Sequence, residues 1–127
     1  MRFLLSVICL LSSIGAHATV FPLIDIYNHL DVTTFRSSLM PARTDNEKHF
    51  SEFDTVATPL FTENKIIMED DEWFYSIEVK KSVDLGIYTC FTDKAKQGTY
   101  SSKSSLLLRK YGKEYIALHF AIEACNK

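Results

Sequence analysis

Four consecutive acidic residues form the densest cluster of potential metal ligands in this sequence: Glu69, Asp70, Asp71 and Glu72. Hard cations such as calcium bind several carboxylate oxygens, so the run is a candidate site for calcium or for a cationic partner. It lacks the alternating ligand spacing of a calcium-binding loop, which favours a solvated turn between two strands. We therefore expect no bound cofactor, and these four residues are the candidate ligands if a metal binds.

Three histidines follow residue 20, namely His29, His49 and His119. A catalytic histidine needs a carboxylate or a nucleophile nearby. The sequence contains no G-x-S-x-G nucleophile motif, no glycine-rich phosphate loop and no C-x-x-C pair of zinc ligands. One alternative function is therefore a small exported hydrolase that uses histidine and carboxylates. It requires His29 or His49 within hydrogen-bond reach of an acid in a cleft.

The first 18 residues are typical of a secretory signal peptide. A positive start is followed by the apolar run FLLSVICLL, and Ala16-His17-Ala18 fits the small-x-small rule for signal peptidase. We therefore expect residues 1–18 to be removed and residues 19–127 to form one exported domain, periplasmic or secreted. No later segment is apolar enough to predict a membrane span in the mature chain.

Two cysteines, Cys90 and Cys125, remain after the expected removal of the signal, which contains Cys9. An exported domain with two cysteines usually pairs them, because its compartment is oxidising. We predict a Cys90–Cys125 disulfide, with two separate thiols as the alternative. A cysteine nucleophile is disfavoured, since it needs a reduced thiol and an assisting histidine.

Composition indicates an ordinary folded domain. Apolar residues make up 46% of the chain and charged residues 24%, enough to bury a core. The formal net charge of −2 gives no electrostatic reason to expect nucleic acid as a partner. Acids outnumber bases in residues 44–72 and bases outnumber acids in residues 73–127, so the surface is either dipolar or laced with salt bridges.

Hydrophobic spacing predicts an α+β domain in which a short N-terminal helix packs on an antiparallel β-meander. Residues 20–30 are expected to be extended. Asp31 is placed to cap a helix with one apolar face (Val32, Phe35, Leu39) that ends at Met40-Pro41. Residues 41–60 are expected to form a loop pinned by Phe50 and Phe53.

Period-two alternation begins after residue 64 and predicts about five strands with short connections. Short connections make successive strands antiparallel neighbours. The helix then covers one face of the sheet, or the sheet curls into a sandwich. The predicted strands cover residues 65–69, 73–80, 87–92, 105–111 and 115–122.

Trp73, Phe74 and Tyr75 are consecutive aromatic residues in the second predicted strand. Neighbouring side chains of a strand point to opposite faces, so Phe74 points away from the face that holds Trp73 and Tyr75. An outward Phe74 is a candidate contact surface. The alternative is a second covered face, as in a sandwich.

One motif resembles the D-x-G-x-Y-x-C corner of immunoglobulin domains: Asp84-Leu85-Gly86-Ile87-Tyr88-Thr89-Cys90. The resemblance implies an immunoglobulin-like β-sandwich of receptor type as the alternative fold, with Tyr88 hydrogen-bonded at a strand corner. The chain departs from that family because no cysteine between the expected signal and Cys90 is available as its partner.

A second resemblance runs over most of residues 33–125. Its elements are Thr34-Phe35-Arg36-Ser37-Ser38-Leu39, Trp73-x-Tyr75-x-Ile77, Cys90-Phe91-x-Asp93, Gly98-Thr99-Tyr100 and Cys125. Together they resemble small exported bacterial proteins of uncharacterised function. The resemblance implies the same disulfide and an envelope or secreted location, and it implies no activity. The expected function is therefore binding to an unknown protein or envelope partner, without catalysis.

Overall fold

The computed structural model describes residues 20–119 and Cys125. The expected signal peptide, residues 1–18, lies outside the described residues, as do residues 120–122 of the last predicted strand. No helix in the described part is long and apolar enough to cross a membrane.

Within the described residues, six antiparallel strands form one sheet in which the spatial order equals the chain order. The predicted meander is therefore confirmed, with one more strand than expected. The extra strand is a two-residue edge pair inside the predicted loop, too short to show alternation. The strands are β1 Leu60–Phe61, β2 Lys65–Glu69, β3 Trp73–Val83, β4 Gly86–Ala95, β5 Ser101–Tyr111 and β6 Glu114–His119.

The immunoglobulin-like alternative does not describe this fold. The strands of the described residues form one sheet rather than two. Tyr88 lies within β4, where it pairs with Lys81 on β3 and Leu107 on β5, and not at a strand corner.

The N-terminal segment differs from the prediction. Residues expected to be extended form a helix, α1 Leu23–His29. Leu23, Ile26 and Leu30 lie on one side of this segment and are buried against the sheet. That apolar stripe is difficult to recognise in the sequence, because the neighbouring Ile24 and Tyr27 are residue types that favour strands.

The helix expected after Asp31 is broken into two short pieces. Asp31 does act as a cap, accepting a hydrogen bond of 2.9 Å from the Thr33 amide, but it caps only the 3-10 turn Val32–Thr34. The chain is extended at Phe35, and a second short helix follows, α2 Leu39–Ala42. Consecutive β-branched residues disfavour a longer helix.

Pro41 does not stop the helix, because it lies in the first turn of α2. An amide there has no helical acceptor, so a proline costs nothing. The loop that follows is pinned as expected by Phe50 and Phe53, which are both buried, and it contains the 3-10 turn Phe50–Glu52.

The hydrophobic core lies between one face of the sheet and this helical layer. We call the face that carries the core the covered face and the other the open face. Strand residues on the covered face alternate with those on the open face, as the pattern predicted. The core includes Leu23, Ile26, Leu30, Val32, Phe35, Leu39, Phe50, Ile66, Met68, Tyr75, Ile77, Val79, Phe91, Leu106, Leu108, Tyr115 and Ala117.

Tyr115 and Ala117 of β6 face the helical layer, while Leu118 is exposed. His119 shares the covered side with Tyr115 and Ala117 but is exposed at the end of the strand. Alternation alone does not say which side of an edge strand is buried. In this fold, the parallel β-bridge between Leu30 and Tyr115 determines which side of β6 is buried.

Candidate functional site

The acidic run forms the end of β2 and the turn to β3. Asp70 shapes this turn, because its Oδ1 accepts hydrogen bonds of 2.8 Å from the amides of Glu72 and Trp73. These hydrogen bonds lower the pKa of the Asp70 carboxyl. Glu69 forms an ion pair of 3.1 Å with Lys96. Within the described residues, no group of three or more histidine, cysteine or acidic side chains is placed to hold a metal ion.

Two of the histidines lie beside carboxylates. Nδ1 of His29 is 3.0 Å from Oδ1 of Asp25, one turn earlier in α1. His49 contacts carboxylates through both ring nitrogens: Nε2 is 2.7 Å from Glu114 on β6 and Nδ1 is 2.6 Å from Glu52. His49 therefore joins the helical layer to β6 and has no ring nitrogen left for a substrate.

Asp25 provides a second link between the helical layer and the sheet. Its Oδ2 accepts hydrogen bonds from Lys110 at 2.9 Å and from the Tyr115 hydroxyl at 2.7 Å. The hydrogen bond from Lys110 makes the largest contribution to lowering the pKa of the Asp25 carboxyl, and the hydrogen bond from Tyr115 makes the next largest. Burial, and then the hydrogen bond to Asp25, raises the pKa of Tyr115.

The three consecutive aromatic residues of β3 divide between the two faces. Trp73 and Tyr75 pack on the covered side, with ring centroids 6.1 Å apart. Phe74 lies half-buried on the open face, as the alternation of β3 requires. Its part in contacting a partner stays a prediction.

Strand register places polar residues from four strands around Phe74. One row across the open face runs Glu69, Phe74, Lys94, Ser101, and the next runs Ile67, Ser76, Thr92, Lys103. Side chains at paired positions of neighbouring strands are in contact range. Residues more than 30 positions apart in sequence are thereby assembled into one surface.

This surface is a depression of about 450 Å³, which we call the lysine basin. Among the described residues that line it, four are lysines and one, Glu69, is an acid. Lys96 is paired with that acid, and Lys65 is 3.3 Å from Glu78. Within the described residues, the exposed Lys94 and Lys103 have no ion-pair partner. The lining residues are Lys65, Glu69, Phe74, Ser76, Thr92, Lys94, Lys96, Ser101 and Lys103.

The predicted disulfide between Cys90 and Cys125 is confirmed, with Cα atoms 4.9 Å apart. Cys90 belongs to the next row of the open face, between Glu78 and Ser105. The bond therefore fixes Cys125 over the open face, beside the lysine basin. The disulfide does not join the sheet to the helical layer.

The acid-rich and base-rich regions of the sequence share surface in the folded chain. Glu69 pairs with Lys96, Lys65 with Glu78, and His49 with Glu114. Each pair joins residues 44–72 to residues 73–127. The lysine basin is thus a local excess of positive charge among the described residues.

Asp93 was not singled out as a functional residue at the sequence level. It is completely buried and accepts hydrogen bonds from Trp73 Nε1 at 2.6 Å and from the Ser38 amide and hydroxyl at 2.6 and 2.7 Å. An acid in a strand at a core-facing position, two residues after Phe91, was the available signal.

Comparison with protein-family models, curated proteins and solved structures gives no match to this chain.

Proposed function

We propose that this protein is a binding module whose lysine basin receives a short acidic segment of a protein partner. The observation that carries the proposal is the placement of Lys94 and Lys103, unpaired in the described part, within the two rows of the open face that hold Phe74 and Ser76. A carboxylate of the partner then gains a charge-assisted hydrogen bond without displacing an existing ion pair.

Phe74 supplies the apolar part of the contact. Its half-buried ring lies among lysines whose aliphatic stems extend the apolar surface beneath the ammonium groups. Such a surface favours an acidic segment that contains an apolar or aromatic side chain, because aromatic anchors contribute much of the free energy at protein interfaces.

A short acidic segment fits better than a long uniform polyanion. The turn that carries Asp70, Asp71 and Glu72 borders the basin, since the Lys96 amide donates to the Glu72 carbonyl at 2.9 Å. These exposed acids repel an anionic chain that extends past the basin. The repulsion limits the favourable contact to a few residues.

The proposal includes export and an α+β classification. The Cys90–Cys125 disulfide supports an oxidising compartment, periplasmic or extracellular, as does the expected signal peptide. Two short helices packed on one face of an antiparallel sheet support the α+β class.

The hydrolase alternative is supported by the contacts of His29 with Asp25 and of His49 with Glu52 and Glu114. Within the described residues, neither His29 nor His49 is hydrogen-bonded to a hydroxyl or thiol that would act as a nucleophile. Binding is therefore the function that the geometry supports best.

Fluorescence anisotropy with a labelled glutamate-rich peptide that contains one central phenylalanine tests the proposal. We expect the Lys94→Glu/Lys103→Glu variant to bind at least about tenfold more weakly than the wild type at about 50 mM salt. The Lys48→Glu/Lys113→Glu variant, with the same change in net charge, is expected to bind as the wild type does.

Equal losses in both double variants would show that only net charge matters and would contradict the proposal. Binding of dextran sulfate without binding of the peptide would also contradict it, since that result assigns the basin to polysaccharide. Phe74→Ala is expected to weaken peptide binding even at about 300 mM salt, because the apolar contact is not screened.

A further inference from the structure

A second concavity lies on the covered side of the molecule, between the segment that follows Asp31 and the sheet. It has a volume of about 630 Å³, within the range of small-molecule sites in proteins. Phe35, Arg36, Ser37 and Met40 line it from the helical layer, Tyr100 from the connection between β4 and β5, and His119 from the end of β6. We call it the Arg36 cleft.

The described residues that line the Arg36 cleft carry positive charge and hydrogen-bond donors, and none of them is an acid. Within the described residues, the Arg36 guanidinium and the His119 imidazole have neither an ion-pair nor a hydrogen-bond partner. An arginine fork matches the two oxygens of a carboxylate. The chemistry of the cleft therefore suits an anion with a planar, two-oxygen head.

The apolar surface of the cleft is next to these donors. Met40 and Tyr100 supply a thioether and an aromatic ring, and both side chains are exposed, whereas the Phe35 ring is buried and packs on Phe91. Polar groups fix the orientation of a ligand in such sites, while apolar walls cover its body. The arrangement fits an organic acid better than an inorganic anion.

The wall that carries Arg36 is held in place by neighbouring residues. The Ser38 amide and hydroxyl donate to buried Asp93 on β4 at 2.6 and 2.7 Å. The Ala117 amide on β6 donates to Thr34 Oγ1 at 3.0 Å. A wall fixed before binding loses little conformational entropy when a ligand arrives.

We propose that the Arg36 cleft binds the carboxylate of a small organic acid with a short apolar or aromatic body. Arg36 pairs with the carboxylate, and the side chains of Met40 and Tyr100 contact the body. The site is independent of the lysine basin, which lies on the opposite face of the sheet.

Ligand-observed NMR with phenylacetate and phenylacetamide tests this site, because the two probes share a shape and differ in charge. We expect phenylacetate to bind at least about tenfold more tightly than phenylacetamide, the ratio that one charge-assisted hydrogen bond provides. Arg36→Gln is expected to remove this preference. Arg109→Gln, which alters an exposed arginine above the Tyr111 ring, is expected to keep it.

Equal binding of the two probes, or an unchanged preference in Arg36→Gln, would overturn the proposal. Arg36 has no partner in the described structure, so its substitution is not expected to affect folding, and circular dichroism checks this. Wild-type affinity for phenylacetate in Lys94→Glu/Lys103→Glu separates this site from the lysine basin. A loss there would assign the acid to the basin and contradict the inference.

Discussion

Ser38 and Asp93 are 55 residues apart in sequence and are joined by two hydrogen bonds, one from the Ser38 amide and one from its hydroxyl. Trp73 donates a third hydrogen bond to the same carboxylate, and the Tyr75 hydroxyl is 2.9 Å from the Ser38 hydroxyl. The buried acid is thus surrounded by neutral donors. It links the helical layer, β3 and β4 at the end of the sheet that holds both concavities.

Replacement of Asp93 by asparagine is expected to destabilise the fold by about 1.5–3 kcal/mol, because the amide has one acceptor oxygen and faces donors with its NH₂ group. Urea denaturation followed by Trp73 fluorescence measures the change. Asp84→Asn, in the exposed turn between β3 and β4, is the control and is expected to change stability by less than about 0.5 kcal/mol. Equal stability of both variants would show that the hydrogen bonds to Asp93 contribute nothing.

Gly86 is expected to be intolerant of alanine. Its φ is +145°, and an added Cβ would lie 2.4 Å from the Leu108 carbonyl oxygen. We expect Gly86→Ala to lose more than about 1 kcal/mol of unfolding free energy, or to fail to fold. Gly98→Ala is the matched control, because its Cβ meets nothing closer than 3.8 Å. Thermal melts that rank the two variants equally would contradict the β4–β5 contact.

Tyr75 makes stability depend on alkaline pH. Burial, together with the charge of Asp93, raises the pKa of Tyr75 to about 12, against an opposing hydrogen bond with Ser38. An unfolded tyrosine has a pKa of about 10, so the unfolded chain loses this proton first. The contribution of Tyr75 is therefore complete below pH about 10 and declines as the pH rises towards about 12.

Unfolding free energies at pH about 9 and about 11 measure this effect. The decline for Tyr75→Phe is expected to be about 1 kcal/mol smaller than for the wild type, because the variant has no proton to lose there. Tyr111→Phe removes an exposed tyrosine and serves as the control. An equal decline in Tyr75→Phe and the wild type would contradict the assigned shift.

Loss of the disulfide is expected to lower stability without changing the fold of the sheet. A closed loop of 35 residues corresponds to about 3–4 kcal/mol in the chain-entropy model. Cys90→Ala/Cys125→Ala tests this by denaturation, with hydrogen exchange of β3 and β4 amides as the readout of the sheet. Loss of protection in those strands under native conditions would show that the bond holds the sheet together.

The strands were predictable because their alternation is strict and their connections are short. Residues 65–69 form β2 as expected, and β3 and β4 extend the predicted strands by a few residues. The helical layer was not predictable from the sequence, because its helices have at most seven residues and are held by contacts with the sheet. Propensity decides little in such short helices, where tertiary packing supplies the stability.

The candidate sites were predictable only in part. The sequence places Phe74 opposite Trp73 and Tyr75, so an outward ring follows from alternation alone. Lys94 and Lys103 come from different strands, and their proximity depends on the exact register of β4 and β5. The Arg36 cleft depends on a long-range contact, between Ser38 and Asp93, that no local pattern reveals.

The position of the peptide on the protein tests the central claim most directly. Two-dimensional NMR of the labelled protein, titrated with the glutamate-rich peptide, reports which backbone amides change environment. We predict that the largest shifts fall on the rows of the open face that hold Phe74, Ser76, Thr92, Lys94 and Lys103. Shifts confined to the helical layer, or no saturable shift at any amide, would contradict it.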